Sequence, residues 1–179
     1  MRCRWRKFTP KDSGQKANGI LTAMLRAKRT KTRKSATGLR FGIAAARYNS
    51  DLAEALVEHC MDTLTAAGAR QRDIKVMRVP GSFEICAAAV RLAKSGKFDC
   101  VIGLGVILKG ETMHAQNIAE AVAHGLTWIA IDAGVPTVFG IVTANNLQQA
   151  RVRCLGQKHN RGREAAQAAI EMAALWKNR

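Results

Sequence analysis

The stretch that decides the fold is "FDCVIGLGVILKGETMHAQNIAEAV", residues 98–122. Its first part, up to Leu108, is the most apolar run of the chain and is typical of a strand buried on both faces. The pair Lys109-Gly110 ends that run. From Met113 onward the apolar residues recur at helical spacing. The stretch therefore predicts a buried strand that passes through a polar turn into a helix.

The same alternation of strand and helix continues on both sides of this stretch. The other predicted strands are 40–49, 74–79, 126–131 and 137–144, the last being either a fifth strand or a continuation of the fourth. The predicted helices are 50–67, about 83–94, 113–125, 146–153 and about 162–177. We expect Ser50 to cap the first helix, and Gly68 and Gly125 to end the first and third. The pattern predicts an α/β fold of three layers, with a parallel sheet between helices.

The composition indicates what kind of protein this chain forms. The chain has 179 residues, of which 47% are apolar, enough for one domain with a real core. No apolar run approaches the roughly 20 residues that a membrane-spanning helix needs. The five cysteines show no metal-binding spacing, and Cys60, Cys86 and Cys100 lie in apolar patterns as core residues do. We therefore expect no metal and a reducing compartment, the cytoplasm.

The positive charge is concentrated at the amino terminus. Residues 1–40 hold 13 lysines and arginines and one acid, a formal charge of +12, whereas residues 41–179 hold 16 and 12, a charge of +4. This composition fits an inert disordered extension or a tail that binds RNA or DNA. It also fits an organelle-targeting leader, or translation that starts upstream of Met24. We divide the chain into a basic extension, 1–38, and a domain, 39–179.

Polar and aromatic residues follow the predicted strands at the point where each ends. In open parallel sheets, ligands bind outside the carboxyl ends of the strands. The residues at these positions are Tyr48-Asn49, Gly81 to Glu84, Lys109 to His114, and Asn145. We therefore expect a binding crevice along this edge of the sheet.

The turn after the third strand has the features of an anion site with a proton carrier beside it. Gly110, Glu111 and Thr112 precede a helix, so free backbone N–H groups point outward there. In the simpler alternative interpretation, Thr112 only caps the helix. His114 lies in the first turn, where the helix dipole disfavours the charged imidazolium, and a neutral ring can accept and return protons. The alternative is an ordinary surface or packed histidine.

Other candidate residues have two interpretations each. Glu84 either stabilises a helix dipole or accepts hydrogen bonds from a substrate. Tyr48 and Phe83 offer flat faces for a planar heterocycle, whereas Phe139 lies inside an apolar strand and is expected in the core. The basic loop 153–165 either holds a phosphate or is a solvated rim.

Five segments together resemble the lumazine synthase (6,7-dimethyl-8-ribityllumazine synthase) family. They are "ARYN", "VPGSFEI", "GLGVILKGETMH", "GVPTVFGIVTA" and "RCLG…HNRGREAAQAAIEMA", in order between Gly38 and Leu175. The resemblance implies a flavodoxin-like fold and a transferase of riboflavin biosynthesis. Such an enzyme condenses 5-amino-6-(D-ribitylamino)uracil with 3,4-dihydroxy-2-butanone 4-phosphate, giving 6,7-dimethyl-8-ribityllumazine, phosphate and water. It uses no cofactor or metal.

The resemblance also implies roles for site residues. His114 would transfer protons. The residues that would hold the pyrimidine and ribityl chain are Tyr48, Ser82, Phe83, Glu84, Val106, Ile107, Leu108 and Phe139. Those that would bind the phosphate are Glu111, Thr112 and Arg153. Phe139 and Arg153 would reach the site from a neighbouring subunit, against the core interpretation of Phe139.

The family forms homopentamers, and some members form decamers or icosahedral capsids of sixty subunits, so we expect at least a pentamer. The chain departs from the family pattern at Ala115, Lys109, Cys86, Gln157 and Arg161. Two other hypotheses stay open at this point. One is a lumazine-synthase-like shell or scaffold whose basic tail binds polyanionic cargo. The other is a nucleic-acid-binding flavodoxin-like domain, which rests on residues 1–38 alone.

Overall fold

The elements alternate along the chain in a computed structural model that describes residues 35–177. The strands are β1 (Phe41–Ala46), β2 (Ile74–Val79), β3 (Cys100–Leu108) and β4 (Thr137–Ala144). The helices are α1 (Ser50–Ala66), α2 (Ile85–Ala93), α3 (His114–Ala133), α4 (Leu147–Leu155) and α5 (Arg161–Lys177). A short 3₁₀ helix, Gln71–Asp73, precedes β2.

The four strands form one parallel sheet in the order β2-β1-β3-β4. Phe41 of β1 pairs with Ile74 of β2 on one side and with Cys100 of β3 on the other, so these strands start level. The two central strands are almost entirely buried, because helices cover both faces. Since all strands run the same way, their carboxyl ends share one edge.

Each face of the sheet has its own apolar core. On one face α1 and α5 pack against β1 and β3, with Val57, Cys60 and Leu64 buried beside the alanines of α5. On the other face α2 and α3 pack together over Ala44 and Val101. A smaller cluster under α4 closes the carboxyl end of β4. The predicted three-layer α/β fold with a parallel sheet is confirmed.

The predicted strand at 126–131 is wrong, because these residues belong to α3. Val122, Leu126 and Ile129 are buried at helical spacing, while Trp128 and Ile131 point into solvent. The run "LTWIAI" is rich in residues that favour strands, but the packing of one helical face decides its structure. The sheet described in residues 35–177 therefore has four strands, and 137–144 is the fourth.

The predicted helix end at Gly125 is wrong for a related reason. A Cβ atom on Gly125 would lie 2.5 Å from Sγ of Cys86, so this glycine allows α2 and α3 to approach each other. The helix ends instead at Gly134, whose φ of +63° lies in the left-handed region that glycine adopts readily.

The first helix begins at residue 50 as predicted, but its cap lies one residue earlier than predicted. Asn49, not Ser50, is the cap residue, with a left-handed backbone (φ 58°, ψ 53°) and no side-chain capping bond. Asparagine tolerates this conformation better than most residues. The predicted stop at Gly68 is confirmed: Gly68 has a φ of +104°, and its N–H donates to the carbonyl of Thr65 at 2.9 Å.

The cysteines behave largely as the sequence predicts. Cys60 and Cys100 are fully buried and Cys86 is half-buried, and all are free thiols. Burial raises the pKa of Cys60 to about 12, so this thiol stays protonated. Within residues 35–177, no helix combines the length and apolarity required to cross a bilayer.

Candidate active site

The exits of β1 and β2 are held side by side. Strand pairing continues past the ends of both: the N–H of Arg47 donates to the carbonyl of Val79 at 2.8 Å, and that of Tyr48 to Pro80 at 3.1 Å. Tyr48 and the segment Gly81 to Glu84, predicted to share a crevice, are therefore neighbours.

Asn49 joins the exit of β1 to the end of β3. Its side-chain amide donates to the carbonyl of Val106 at 3.1 Å. The left-handed backbone of Asn49 turns the chain into α1 and aims the amide across the sheet edge. Sequence reasoning placed Asn49 at the crevice but predicted no contact for it. An asparagine directly after a buried strand was the only indication of one.

Ser82 lies in the floor of the crevice. It is 7% exposed, and its Oγ is 2.7 Å from the place that a Cβ on Gly105 would take. Because residue 105 is glycine, the loop after β2 can lie directly on the backbone of β3. Gly105 thus fixes the depth at which Ser82 lies.

Glu84 can serve both of its predicted functions at once. It precedes the first residue of α2, and its Oε2 accepts a hydrogen bond from the N–H of Gly81 at 2.9 Å. Within residues 35–177 its Oε1 has no hydrogen-bond donor, so that oxygen is available to a ligand. One oxygen shapes the loop while the other faces outward.

Large apolar side chains are exposed at three adjacent strand exits. Tyr48 is 71% exposed, Phe83 61% and Met113 61%. Exposed apolar groups clustered beside polar ones mark binding surfaces. Met113 was not predicted as a site residue, although it directly precedes His114 in the turn.

The turn between β3 and α3 has unpaired N–H groups. The N–H of Lys109 still pairs with Ala144 at 2.8 Å, but the N–H groups of Glu111, Thr112 and Met113 have no acceptor in the described part of the chain. Met113 is the cap residue and makes no side-chain capping bond. Unpaired N–H groups at the positive end of a helix, such as these, are donors of the kind that bind anions.

Thr112 and His114 meet at this turn. The hydroxyl of Thr112 accepts the N–H of His114 at 3.4 Å, which is too long for a strong cap. His114 is the first residue of α3, and its side chain is exposed. The structure thus brings together an imidazole ring, a hydroxyl and unpaired backbone N–H groups within one turn.

Comparison with known proteins decides the family. The chain matches the family model of 6,7-dimethyl-8-ribityllumazine synthase over residues 38–177. The chain belongs to this family. It is 46% identical over 145 residues to the 6,7-dimethyl-8-ribityllumazine synthase of Aquifex aeolicus (strain VF5), which covers 80% of this chain and 94% of that protein.

Two further lumazine synthases match a similar share of this chain. The protein of Syntrophus aciditrophicus (strain SB) is 40% identical over 146 residues, covering 82% of this chain and 95% of that one. The chloroplastic protein of Arabidopsis thaliana is 40% identical over 141 residues, covering 79% of this chain and 62% of that one. The predicted family is confirmed, and residues 1–37 lie outside the match to the family model.

The end of β3 offers mainly its backbone to a lumazine synthase site. The side chains of Val106 and Ile107 are buried in the cores on opposite faces of the sheet. Leu108 is partly exposed. All three residues were predicted to line the pocket. In this chain, Leu108 is the one whose side chain is exposed enough to contact a ligand.

Phe139 is not near the crevice of its own chain. It lies in β4 opposite Gly103, half-buried against the core formed with α2 and α3. Phe139 lies five positions before Ala144, where β4 ends. In a strand, five positions correspond to about 16 Å along the chain. The core interpretation is thus partly right, and a single chain leaves Phe139 remote from its own His114.

Arg153 is also held apart from the turn. Its guanidinium makes a two-fold contact with Glu164 of α5, with NH2 to Oε2 at 2.7 Å and NH1 to Oε1 at 3.3 Å. Within residues 35–177 no hydrogen bond or ion pair joins Arg153 to Thr112 or His114. This two-fold contact orients the guanidinium of Arg153 toward Glu164.

Glu164 is a further residue of this region that sequence reasoning missed. Burial alone would raise the pKa of Glu164, but the hydrogen bonds and charges of Arg153 and Arg161 outweigh that effect, so its pKa lies below the usual range. Arg161 NH1 lies 3.5 Å from Oε2 of the same carboxylate. The two arginines come from different helices. Arg161 precedes Glu164 by three positions, which is a pairing distance on a helix, but nothing in the local sequence pairs Arg153 with Glu164.

Among residues 35–177, no three histidine, cysteine or acidic side chains come together in a way that would hold a metal ion. The other histidines lie elsewhere: His59 in α1, His124 further along α3, and His159 in the loop before α5.

Proposed function

We propose that this chain condenses 5-amino-6-(D-ribitylamino)uracil with 3,4-dihydroxy-2-butanone 4-phosphate to 6,7-dimethyl-8-ribityllumazine, the penultimate step of riboflavin biosynthesis. Family membership across residues 38–177 supports this reaction. The structural observation that carries it is the exposed His114 beside the unpaired N–H groups of Glu111 to Met113.

The chemistry requires both features at one place. An amine attacks a ketone, a Schiff base forms, phosphate leaves, and the ring closes with loss of water. Each step moves a proton, and His114 is the group that accepts and returns it beside the departing anion. One such acid–base group is typically worth about 10²–10⁴-fold in rate. Holding two reactants in contact supplies much of the rest.

The phosphate binds, in this proposal, at the positive end of α3. The N–H groups of Glu111 to Met113 and the hydroxyl of Thr112 surround it. Arg153 of a neighbouring subunit completes the site, with its guanidinium already oriented by Glu164. Since an arginine fork matches a phosphate well, this contact would also select the phosphorylated substrate.

The pyrimidine binds, in the same proposal, between the exits of β1 and β2. Tyr48 and Phe83 stack on the ring, and the outward oxygen of Glu84 accepts hydrogen bonds from the substrate. Ser82 and the backbone at Val106 to Leu108 form the floor, because the side chains of Val106 and Ile107 are buried.

The need for Phe139 and Arg153 from another chain argues for a homo-oligomer, and we propose at least a pentamer. In its own chain, Phe139 packs in the middle of β4 and Arg153 pairs with Glu164, so neither contacts the crevice. Native mass measurement tests this arrangement, and a monomeric mass would overturn it. The free thiols of the core fit a reducing compartment, and we propose the cytoplasm.

The alternative of a shell or scaffold with a polyanion-binding tail is not favoured, because the chain's relatives are enzymes matched over the domain itself. The charge of residues 1–38 still makes a prediction. Removing these residues should lower the nucleic-acid absorbance of the purified protein relative to its protein absorbance. Protein-like absorbance in both forms would exclude such loading.

The test of the reaction is lumazine formation from the two substrates, followed by absorbance. His124→Ala is the matched control for His114→Ala, since both histidines are exposed on α3. We expect His114→Ala to lower kcat by roughly 10²–10⁴-fold, with an unchanged native mass, and His124→Ala to leave kcat unchanged. No product from the wild-type protein would overturn the proposed function. Equal kcat in both variants would remove His114 from its role.

A further inference from the structure

A second cavity lies at the opposite edge of the sheet from the crevice. Its volume is about 480 Å³, and it opens where the strands begin. The 3₁₀ helix, the start of β2, the last turn of α2 and the loop between α2 and β3 surround it. Its size is within the range of small-molecule sites, roughly 300–1,000 Å³. None of the residues assigned to lumazine formation lines it.

Five cations line this cavity: Arg40, which lies 3.8 Å from Asp99, and four others. The four others are Arg72, Lys75, Arg91 and Lys97. In the part of the chain that the structure describes, none of the four makes an ion pair. Arg91 lies in the last turn of α2, where a cation stabilises the helix dipole. The helix dipole explains the position of Arg91. It does not explain why three further cations lie around the same cavity.

The two carboxylates nearby are already neutralised. Asp73, which itself lines the cavity, accepts a hydrogen bond from Nε of Arg70 at 2.6 Å, and Asp99 lies 3.8 Å from Nε of Arg40. The pKa of Asp73 lies below the usual range, chiefly through the hydrogen bond from Arg70, with smaller contributions from the positive charges of Arg72 and Arg40. The cavity is therefore a region of positive potential.

The floor of the cavity is apolar. Leu92 is buried, and Met77 and Phe98 are half-buried along the same lining. A free inorganic anion would gain nothing from these side chains. An organic anion with a flat apolar part would bury that part on the floor and keep its charges among the cations.

We propose that this cavity binds a nucleoside diphosphate or triphosphate, with the base on Leu92, Met77 and Phe98 and the phosphates among Arg72, Lys75, Arg91 and Lys97. The charge of such a polyphosphate is comparable to that of the four unpaired cations. The chain's own extension is not a candidate occupant, because residues 1–38 carry charge of the same sign. A small molecule fits a cavity of this volume better than a nucleic-acid strand, which needs an extended groove.

The test uses the full-length protein and a fluorescent N-methylanthraniloyl derivative of ADP at low ionic strength, with binding followed by anisotropy. We expect Arg72→Glu and Lys97→Glu each to weaken binding about tenfold or more, since each removes charge-assisted contacts. Arg72→Gln removes the positive charge without adding a negative one, so it should weaken binding less than Arg72→Glu does. The matched control is Arg151→Glu, an exposed cation of α4 outside the cavity, which should leave the dissociation constant unchanged.

Competition separates the possible ligands. Unlabelled ADP should displace the probe, whereas adenosine and inorganic phosphate should each compete at least tenfold less well. Lumazine formation should be unchanged in Arg72→Glu and Lys97→Glu, which shows that both variants are folded. Absence of binding, or equal weakening in Arg151→Glu, would overturn the proposal. So would phosphate that competes as well as ADP, or a short RNA that displaces the probe at lower concentration than ADP.

Discussion

The contact between α1 and α5 gives the sharpest prediction about packing. A Cβ on Gly162 of α5 would lie 2.2 Å from the carbonyl oxygen of Leu56 in α1. Non-bonded carbon and oxygen atoms in contact are about 3.3 Å apart or more. Gly162→Ala would therefore push the two backbones apart by about 1 Å, and no side-chain rotation relieves a clash with backbone.

Two opposing free energies set the size of the effect. Alanine is favoured over glycine in a helix by up to about 1 kcal/mol. Overpacking of a close contact costs about 1–3 kcal/mol, occasionally more. Because the clash is with backbone, we expect the upper part of that range and a net destabilisation of about 2 kcal/mol. For a domain of this size each kcal/mol lowers Tm by about 2–4 °C, so Tm should fall by about 4–8 °C.

The assay is thermal unfolding at fixed protein concentration, which matters for an oligomer. Ala168→Gly is the matched control, because Ala168 is exposed on the same helix and reports the intrinsic preference of α5 for alanine. A Tm for Gly162→Ala at or above that of the wild type would refute the backbone contact. Since Glu164 follows two residues later, we also expect kcat/KM for lumazine formation to fall in Gly162→Ala.

Two other predictions follow from named contacts. The pKa of Glu164 is lowered by Arg153 and Arg161, so its ion pair stabilises the fold at pH values above the ordinary glutamate pKa of about 4.3 and loses that effect as pH falls through the lowered pKa. The Tm difference between wild type and Glu164→Gln should hold above that pH and shrink below it; a difference that grows in acid would contradict this. Gly125→Ala should lower Tm in the wild-type background, where the new Cβ meets Sγ of Cys86, but raise it in a Cys86→Ala background. A drop in both backgrounds would instead support Gly125 as a helix end.

Periodicity predicts most of the architecture because the strands of this sheet differ so clearly from its helices. The run ending at Leu108 has no polar residue between Cys100 and that point, and such a run is stable only when both faces are covered. The segment 126–131 shows where the argument fails. Its residues favour strands, and only the surfaces of α2 and β3, distant in sequence, decide that one helical face is buried.

The site divides in the same way between local and non-local information. Glu111, Thr112 and His114 are adjacent in sequence, so their meeting at one turn follows once a strand and a helix are predicted on either side. The bond from Asn49 to Val106 spans 57 positions, and the pair of Arg153 with Glu164 joins two helices across a loop. Contacts of this kind depend on how the elements pack, which hydrophobic spacing does not specify.

Glycine positions carry much of that missing information. Gly105 admits Ser82, Gly125 admits Cys86, and Gly162 admits the backbone of Leu56. The sequence alone gives none of them this function, yet in the structure each marks a place where two elements approach too closely for a side chain. Two of these contacts bear on the crevice, since Gly105 sets the depth of Ser82 and Gly162 sets where α5 presents Glu164. The geometry proposed for the reaction thus depends on absent side chains as much as on the residues that touch the substrates.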